Sequence, residues 1–158
     1  MKPILPALLV LLSLNLFSDQ PEEACMNLID GFYRGDACVV ENYLSTDAIQ
    51  MIDTMLMIVR MQPDQAAAEL SRELQIAVTG PELANWTSYD FINAFINSPG
   101  VTDNLPPRQF IQISECEVTG DTGLVHLKIE NYPEVLTITM VREGDDWKLS
   151  DEMVGSEL

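Results

Sequence analysis

The period of the apolar residues changes once along this chain, and that change most constrains the fold. Before Pro106 and Pro107, apolar residues recur three or four positions apart, which is the spacing of amphipathic helices. After these prolines they alternate with polar residues, which is the spacing of half-buried strands. Helices followed by strands indicate an α+β domain. The chain has 158 residues, of which 47% are hydrophobic, enough for one domain with a sizeable core.

Five helices are predicted from the apolar stripes and from the residues that begin and end them. Gly35 ends the first helix, because glycine readily takes the left-handed conformation that follows a helix. Asp36 caps the second helix, Ser45 or Thr46 caps the third, and Thr87 caps the fifth. The predicted helices span about residues 21–34, 37–44, 46–62, 64–79 and 88–98.

Four strands are predicted from the alternating part of the chain, at about 110–118, 124–131, 135–142 and 147–153. Within the first strand, Ile111 and Ile113 share one parity, whereas Cys116 and Val118 have the other. This switch predicts a bulge near Ser114 that bends the strand. The short connections between the strands predict a four-stranded antiparallel meander.

The first 18 residues have the order of a secretory signal. Lys2 lies in a short basic start, residues 4–17 are nearly all apolar, and polar residues follow from Ser18. The apolar run is shorter than the roughly 20 residues of a membrane-spanning helix. We therefore expect a secreted or periplasmic protein in which residues 1–18 are removed and 19–158 form one domain. An uncleaved anchor is the alternative.

The net charge of −17 is spread along the chain and is not gathered into a tail. A field of that sign repels nucleic acids and anionic membrane surfaces. We therefore expect no nucleic-acid partner and, after signal removal, no membrane association. Solubility in an extracytoplasmic space is the simplest reading of this charge.

Export would allow one disulfide among Cys25, Cys38 and Cys116. A bridge from Cys25 to Cys38 is disfavoured, because the helix geometry holds their Cα atoms beyond the bridging limit of about 7 Å. Cys38, beside two valines, is predicted to be a small buried apolar residue. Pairing of Cys116 with either partner stays open.

Two motifs resemble a known family. The first is Phe32-Tyr33-Arg34-Gly35-Asp36, followed by Tyr43-Leu44-Ser45, and the second is Asp146-Trp147-Lys148-Leu149-Ser150-Asp151. Together they resemble the N-terminal signature and the last strand of the NTF2-like (cystatin-like) superfamily, in its small exported bacterial branch. This resemblance implies N-terminal helices packed on a curved four-stranded antiparallel sheet, with a cavity between them and a homodimer formed through the sheet. Residues 45–97 depart from the family pattern, since many relatives have a strand or hairpin there.

Enzymes of that superfamily place an aspartate–histidine or aspartate–tyrosine pair inside the cone. The single histidine, His126, shares a strand face with Lys128 and Glu130 and is predicted to face solvent. Asp30 lies off the apolar stripe of its helix and is predicted to be solvated. The sequence therefore predicts no catalytic residue, and it also contains no spacing that favours a metal or cofactor site.

Binding is the function that these observations favour. We expect a non-catalytic domain that binds a small apolar ligand or a partner protein in the cavity between helices and sheet. The predicted pocket residues are Tyr33, Tyr43, Met51, Met55, Trp86 and Phe95. The methionines of the third helix are interpreted as adaptable core or pocket wall, or else as a contact surface for another protein. The alternatives are a small isomerase-like or dehydratase-like enzyme and a purely structural or inhibitory domain.

Overall fold

The computed structural model describes residues 20–153 and has the predicted α+β architecture, with helices packed on a curved, open, four-stranded antiparallel sheet. The helices are α1 (Pro21–Tyr33), α2 (Ala37–Asn42), α3 (Thr46–Val59), α4 (Pro63–Leu74), α5 (Gly80–Leu83), α6 (Ser88–Ile96) and α7 (Pro99–Thr102). The strands are β1 (Ile111–Thr119), β2 (Thr122–Ile129), β3 (Val135–Glu143) and β4 (Asp146–Leu149). The predicted signal segment, residues 1–18, lies outside the described residues.

The helix starts follow the predicted capping chemistry. The Ser45 hydroxyl accepts a hydrogen bond from the Ala48 amide at 3.1 Å and so caps α3. Thr87 and Asp90 form a capping box at the start of α6, where each side chain accepts a hydrogen bond from the other residue's amide. These bonds hold the pKa of the Asp90 carboxyl below its usual value, because they stabilise the charged form.

Some helix ends differ from the prediction. Pro63 begins α4, because proline suits the first turn of a helix. The third helix already ends at Val59, before Pro63 is reached. The fourth helix ends at Leu74, where Gln75 takes a left-handed conformation with φ of 56°. The four-residue helices α5 and α7 were not predicted, and Pro99 begins α7 where the sequence predicted only the end of α6.

The sheet is the predicted meander, with strand order β1-β2-β3-β4. Ile113 pairs with Leu127 and Glu115 pairs with His126, so Ser114 is the extra residue of a bulge. The bulge turns both Ile113 and Cys116 toward the helices, as their parity predicted. The last strand is shorter than predicted, because a 3₁₀ turn at Asp151–Met153 follows it.

The two edges of the sheet differ. The connection between α2 and α3 covers β4, since the Ser45 amide donates to the Leu149 carbonyl at 2.9 Å and the Leu149 amide donates to the Tyr43 carbonyl at 2.6 Å. The other edge is β1, whose bulge and whose Glu115 and Glu117 side chains discourage pairing with another strand. A homodimer through the sheet stays a prediction.

Two apolar cores lie on two sides of α1, because its apolar stripe is wide enough to serve both. The helical core joins α1, α2, α3 and α6 through Leu28, Val40, Ile52, Leu56, Ile92 and Ile96. The sheet core joins α1 to the strands through Ala24, Cys25, Val125, Leu127, Met140 and Trp147. Ala24, Cys25, Val125 and Met140 are each 0% exposed. Side chains therefore fill much of the space between α1 and the sheet.

Candidate functional site

An open groove of about 440 Å³ lies where the helical part of the chain meets the start of the sheet. Its walls come from the end of α1, the end of α6 and the connection that leads from α7 to β1. Phe32, Leu105 and Pro106 give it an apolar lining, and Phe95 packs edge-on against Phe32 with ring centroids 6.3 Å apart. We call this site the rim groove.

Two side-chain contacts hold the connection before β1 against α1. The Tyr33 hydroxyl donates to the Pro106 carbonyl at 2.5 Å, and the Arg108 Nε donates to the Asp30 carboxylate at 2.6 Å. Burial raises the pKa of Tyr33, which the charge of Arg108 lowers in part, so the hydroxyl keeps its proton at neutral pH. One wall of the rim groove is therefore fixed by hydrogen bonds before any ligand arrives.

A third contact joins the ends of α1 and α6. The Asn97 Nδ2 donates to the Gly35 carbonyl at 3.2 Å and to the Asn93 carbonyl at 3.0 Å. Gly35 has φ of +66°, and a Cβ atom at this residue would lie 2.1 Å from the Asn97 Oδ1. Glycine thus takes the left-handed turn without strain, and a Cβ atom at this residue would displace the Asn97 side chain.

The lining of the rim groove carries basic side chains, although the chain as a whole is acidic. It includes Arg34 and Arg108 and contains no Asp or Glu, whereas the whole chain has 25 acidic and 8 basic residues. Arg34 is exposed, and within residues 20–153 its guanidinium makes no hydrogen bond or ion pair.

The structure separates the six predicted pocket residues. Tyr33 lines the rim groove, whereas Tyr43, Trp86 and Phe95 pack, partly buried, against the helical core. The Tyr43 hydroxyl accepts a hydrogen bond from Asn27 at 3.1 Å. The other two lie on α3, Met51 half-buried and Met55 exposed. Ligand binding by these residues stays a prediction.

Sequence reasoning missed most of the rim groove. Arg34 was interpreted as the end of a helix and as part of the family motif, and Asn97, Leu105 and Arg108 were not singled out. These residues lie at helix ends and in a connection, where the apolar period carries no signal. The available signal was chemical, because few basic residues occur in this chain and two of them, Arg34 and Arg108, flank its proline and glycine breaks.

The groups considered for catalysis lie elsewhere or are already paired. His126 lies on the sheet face opposite the sheet core, with its Nδ1 2.9 Å from the Thr137 hydroxyl and its Nε2 3.8 Å from the Glu117 carboxylate. Asp30 is ion-paired with Arg108 through a side chain that stays 41% exposed, so its carboxylate still reaches solvent. The alternative of an isomerase-like enzyme would need one of these groups inside a cavity.

All three cysteines are free thiols. The prediction that Cys38 is buried was wrong, because α2 turns Ala37 and Val40 inward and leaves Cys38 exposed. Burial, and to a lesser extent the nearby Cys116, raises the pKa of the Cys25 thiol to about 12. Burial and the Glu22 carboxylate raise the pKa of Cys116 to about 11.

These environments predict an order of thiol reactivity. At pH 7 we expect iodoacetamide to modify Cys38 first, because the thiolate is the reactive form and the raised pKa values leave little of it at Cys25 and Cys116. Intact mass spectrometry should show one fast addition per chain. Cys38→Ser should abolish this addition, Cys116→Ser should keep it, and unfolding in urea should expose all three thiols. A fast addition that persists in Cys38→Ser would contradict the predicted order.

Within residues 20–153, no group of three or more His, Cys, Asp or Glu side chains is arranged to hold a metal ion. None of the helices in this part of the chain has the length and apolar character needed to cross a membrane. Comparison of the chain with protein-family models, curated proteins and solved structures gave no match. The resemblance to the NTF2-like superfamily therefore depends on the two motifs alone and stays a prediction.

Proposed function

We propose that this chain is an exported, non-catalytic domain that binds a small apolar ligand in the rim groove. The observation that carries the proposal is the groove itself. Its volume of about 440 Å³ falls within the range of about 300–1,000 Å³ that is usual for small-molecule sites. Its lining combines apolar side chains with a few polar groups in fixed positions. The signal-like order of residues 1–18 supports export.

The packing of the sheet core explains why the groove does not lie between α1 and the sheet. The space between α1 and the sheet, where the sequence predicted the cavity, is occupied by the sheet core. The rim groove instead has walls held by Tyr33, Asn97 and Arg108 through hydrogen bonds to other segments. A preformed site loses little conformational entropy on binding, which favours affinity for a small ligand.

A bulky substitution in the groove tests this proposal. We expect Leu105→Trp to fill part of the rim groove and to weaken binding of the neutral apolar dye N-phenyl-1-naphthylamine about tenfold, measured by its fluorescence. Leu136→Trp is the matched control, because Leu136 is 43% exposed on β3 and lies outside the groove. Equal dye binding by wild type and Leu105→Trp would overturn the proposal.

A second candidate is binding of a protein partner at the end of α3. Met57, Ile58 and Met61 are 63%, 65% and 79% exposed, and we call these three residues the methionine surface. Exposed apolar patches often mark contact sites, and methionine adapts to varied partners. The acidic side chains of Asp53 and Glu69 on α3 and α4 favour a partner whose apolar residues are flanked by Lys or Arg.

The dye titration separates the two candidates when Met61→Ser is included. Met61 lines a second groove, of about 370 Å³, between the ends of α3 and α4. Dye bound in the rim groove should not respond to this substitution. Loss of binding in Met61→Ser, with normal binding in Leu105→Trp, would favour the methionine surface.

A further inference from the structure

We infer that the ligand of the rim groove is a monocarboxylate with an apolar body, an inference that rests on the proposed function. The charge of the groove lining supports this inference. Two arginines and no acidic residue line the groove, in a chain whose net charge is −17. The rim groove is therefore a place where an organic anion can approach an otherwise repulsive protein.

Within residues 20–153, the Arg34 guanidinium lines the groove without a hydrogen bond or ion pair. Arg60 donates to the carbonyls of Ala84 and Trp86 and Arg72 pairs with Glu73, whereas Arg142, on β3 and outside the groove, has no side-chain partner within residues 20–153. The Arg34 guanidinium has no such partner among the described residues and can offer two parallel N–H groups to a carboxylate. This bidentate geometry is the strongest common form of arginine–carboxylate contact.

Arg108 supplies a second, oriented donor. Its Nε is committed to Asp30 and its Nη1 lies 3.4 Å from the Ile111 carbonyl, which leaves Nη2 without a partner in the described part of the chain. The ion pair with Asp30 fixes the guanidinium and cancels much of its charge. One full positive charge, from Arg34, therefore remains, which suits a monoanion better than a dianionic phosphate.

The apolar lining determines the rest of the ligand. Phe32, Leu105 and Pro106 lie in the same groove as the two arginines. An aliphatic or aromatic body can pack on these side chains while the carboxylate lies toward Arg34. Burial of that body contributes affinity in proportion to its apolar area, and the arginines determine which end of the ligand faces out.

The inference is tested with octanoate and octan-1-ol, which share an alkyl chain and differ in the charged group. Binding is followed at pH 7 through the backbone amide NMR shifts of Gly35 and Asn97. We expect octanoate to bind about tenfold more tightly than octanol, and Arg34→Gln to abolish that preference. Arg142→Gln is the matched control, because it removes the same charge from an exposed position on β3.

The possible results separate this inference from the proposed function. Equal affinities for octanoate and octanol, both unchanged in Arg34→Gln, would overturn the carboxylate inference and leave the groove as an apolar site. Failure of both compounds and of the dye to bind would overturn both proposals. Arg34→Gln could instead lower the melting temperature without any loss of octanoate preference. That result would show that Arg34 only stabilises the C-terminus of α1, and it would also overturn the inference.

Discussion

Replacing Trp147 with alanine is expected to lower the free energy of unfolding by about 3–5 kcal/mol. Trp147 is 4% exposed and belongs to the sheet core, where β4 meets α1. Pro21 and Trp147 both lie close to Gly123, so the indole packs near the start of α1 and the start of β2. Its removal would leave a cavity at that contact. Urea denaturation followed by circular dichroism measures the change.

Tyr132→Ala is the control for this prediction, because Tyr132 is 65% exposed in the connection between β2 and β3. We expect its effect to stay within about 0.5 kcal/mol. Trp147→Phe should retain more of the stability than Trp147→Ala, since it keeps an aromatic ring in the core. A Trp147→Ala protein as stable as Tyr132→Ala would mean that β4 does not anchor the sheet to α1.

The strand that carries Trp147 is among the features that local sequence patterns predict. Alternation of apolar and polar residues after Pro107 predicted every strand, and the change of parity around Ser114 predicted the bulge. Side-chain caps were equally readable, since Ser45 and Thr87 act on amides only three residues away. Each of these signals depends on neighbours in the sequence.

Other features depend on choices that local patterns leave open. Proline can either follow a helix or begin one, and Pro63 does the second. Gln75 takes a left-handed conformation that glycine or asparagine would have signalled. In a helix as short as α2, three consecutive apolar residues, 38–40, do not show which helix face is buried. The prediction that Cys38 is buried was wrong for this reason.

Local patterns could not predict the shape of the rim groove, because it is made by segments that are distant in sequence. Asn97 contacts Gly35 across 62 positions, and Tyr33 contacts Pro106 across 73. The resemblance to the NTF2-like superfamily predicted a cavity between helices and sheet. Cys25 and Met140 fill that space. The α1 helix supplies side chains to it because its apolar stripe faces both cores.

Replacing Gly35 with alanine should affect both stability and the rim groove. A non-glycine residue in the left-handed conformation costs about 1–2 kcal/mol, and displacement of Asn97 should remove a hydrogen bond worth about 0.5–1.5 kcal/mol. We therefore expect the free energy of unfolding to fall by about 1.5–3.5 kcal/mol, measured in urea. Octanoate binding should weaken as well, because Asn97 and Gly35 both line the groove.

Gly120→Ala is a closely matched control for this substitution. Gly120 has φ of +61°, close to the +66° of Gly35, but a Cβ atom there would meet nothing within 4 Å. The two variants thus share the backbone strain, and they differ in the contact with Asn97. The extra loss of stability in Gly35→Ala measures the approach of α6 to α1, and a loss of octanoate binding in that variant alone would connect this approach to the ligand. Equal losses in both variants, with octanoate binding intact, would show that the contact between Gly35 and Asn97 contributes neither to stability nor to ligand binding.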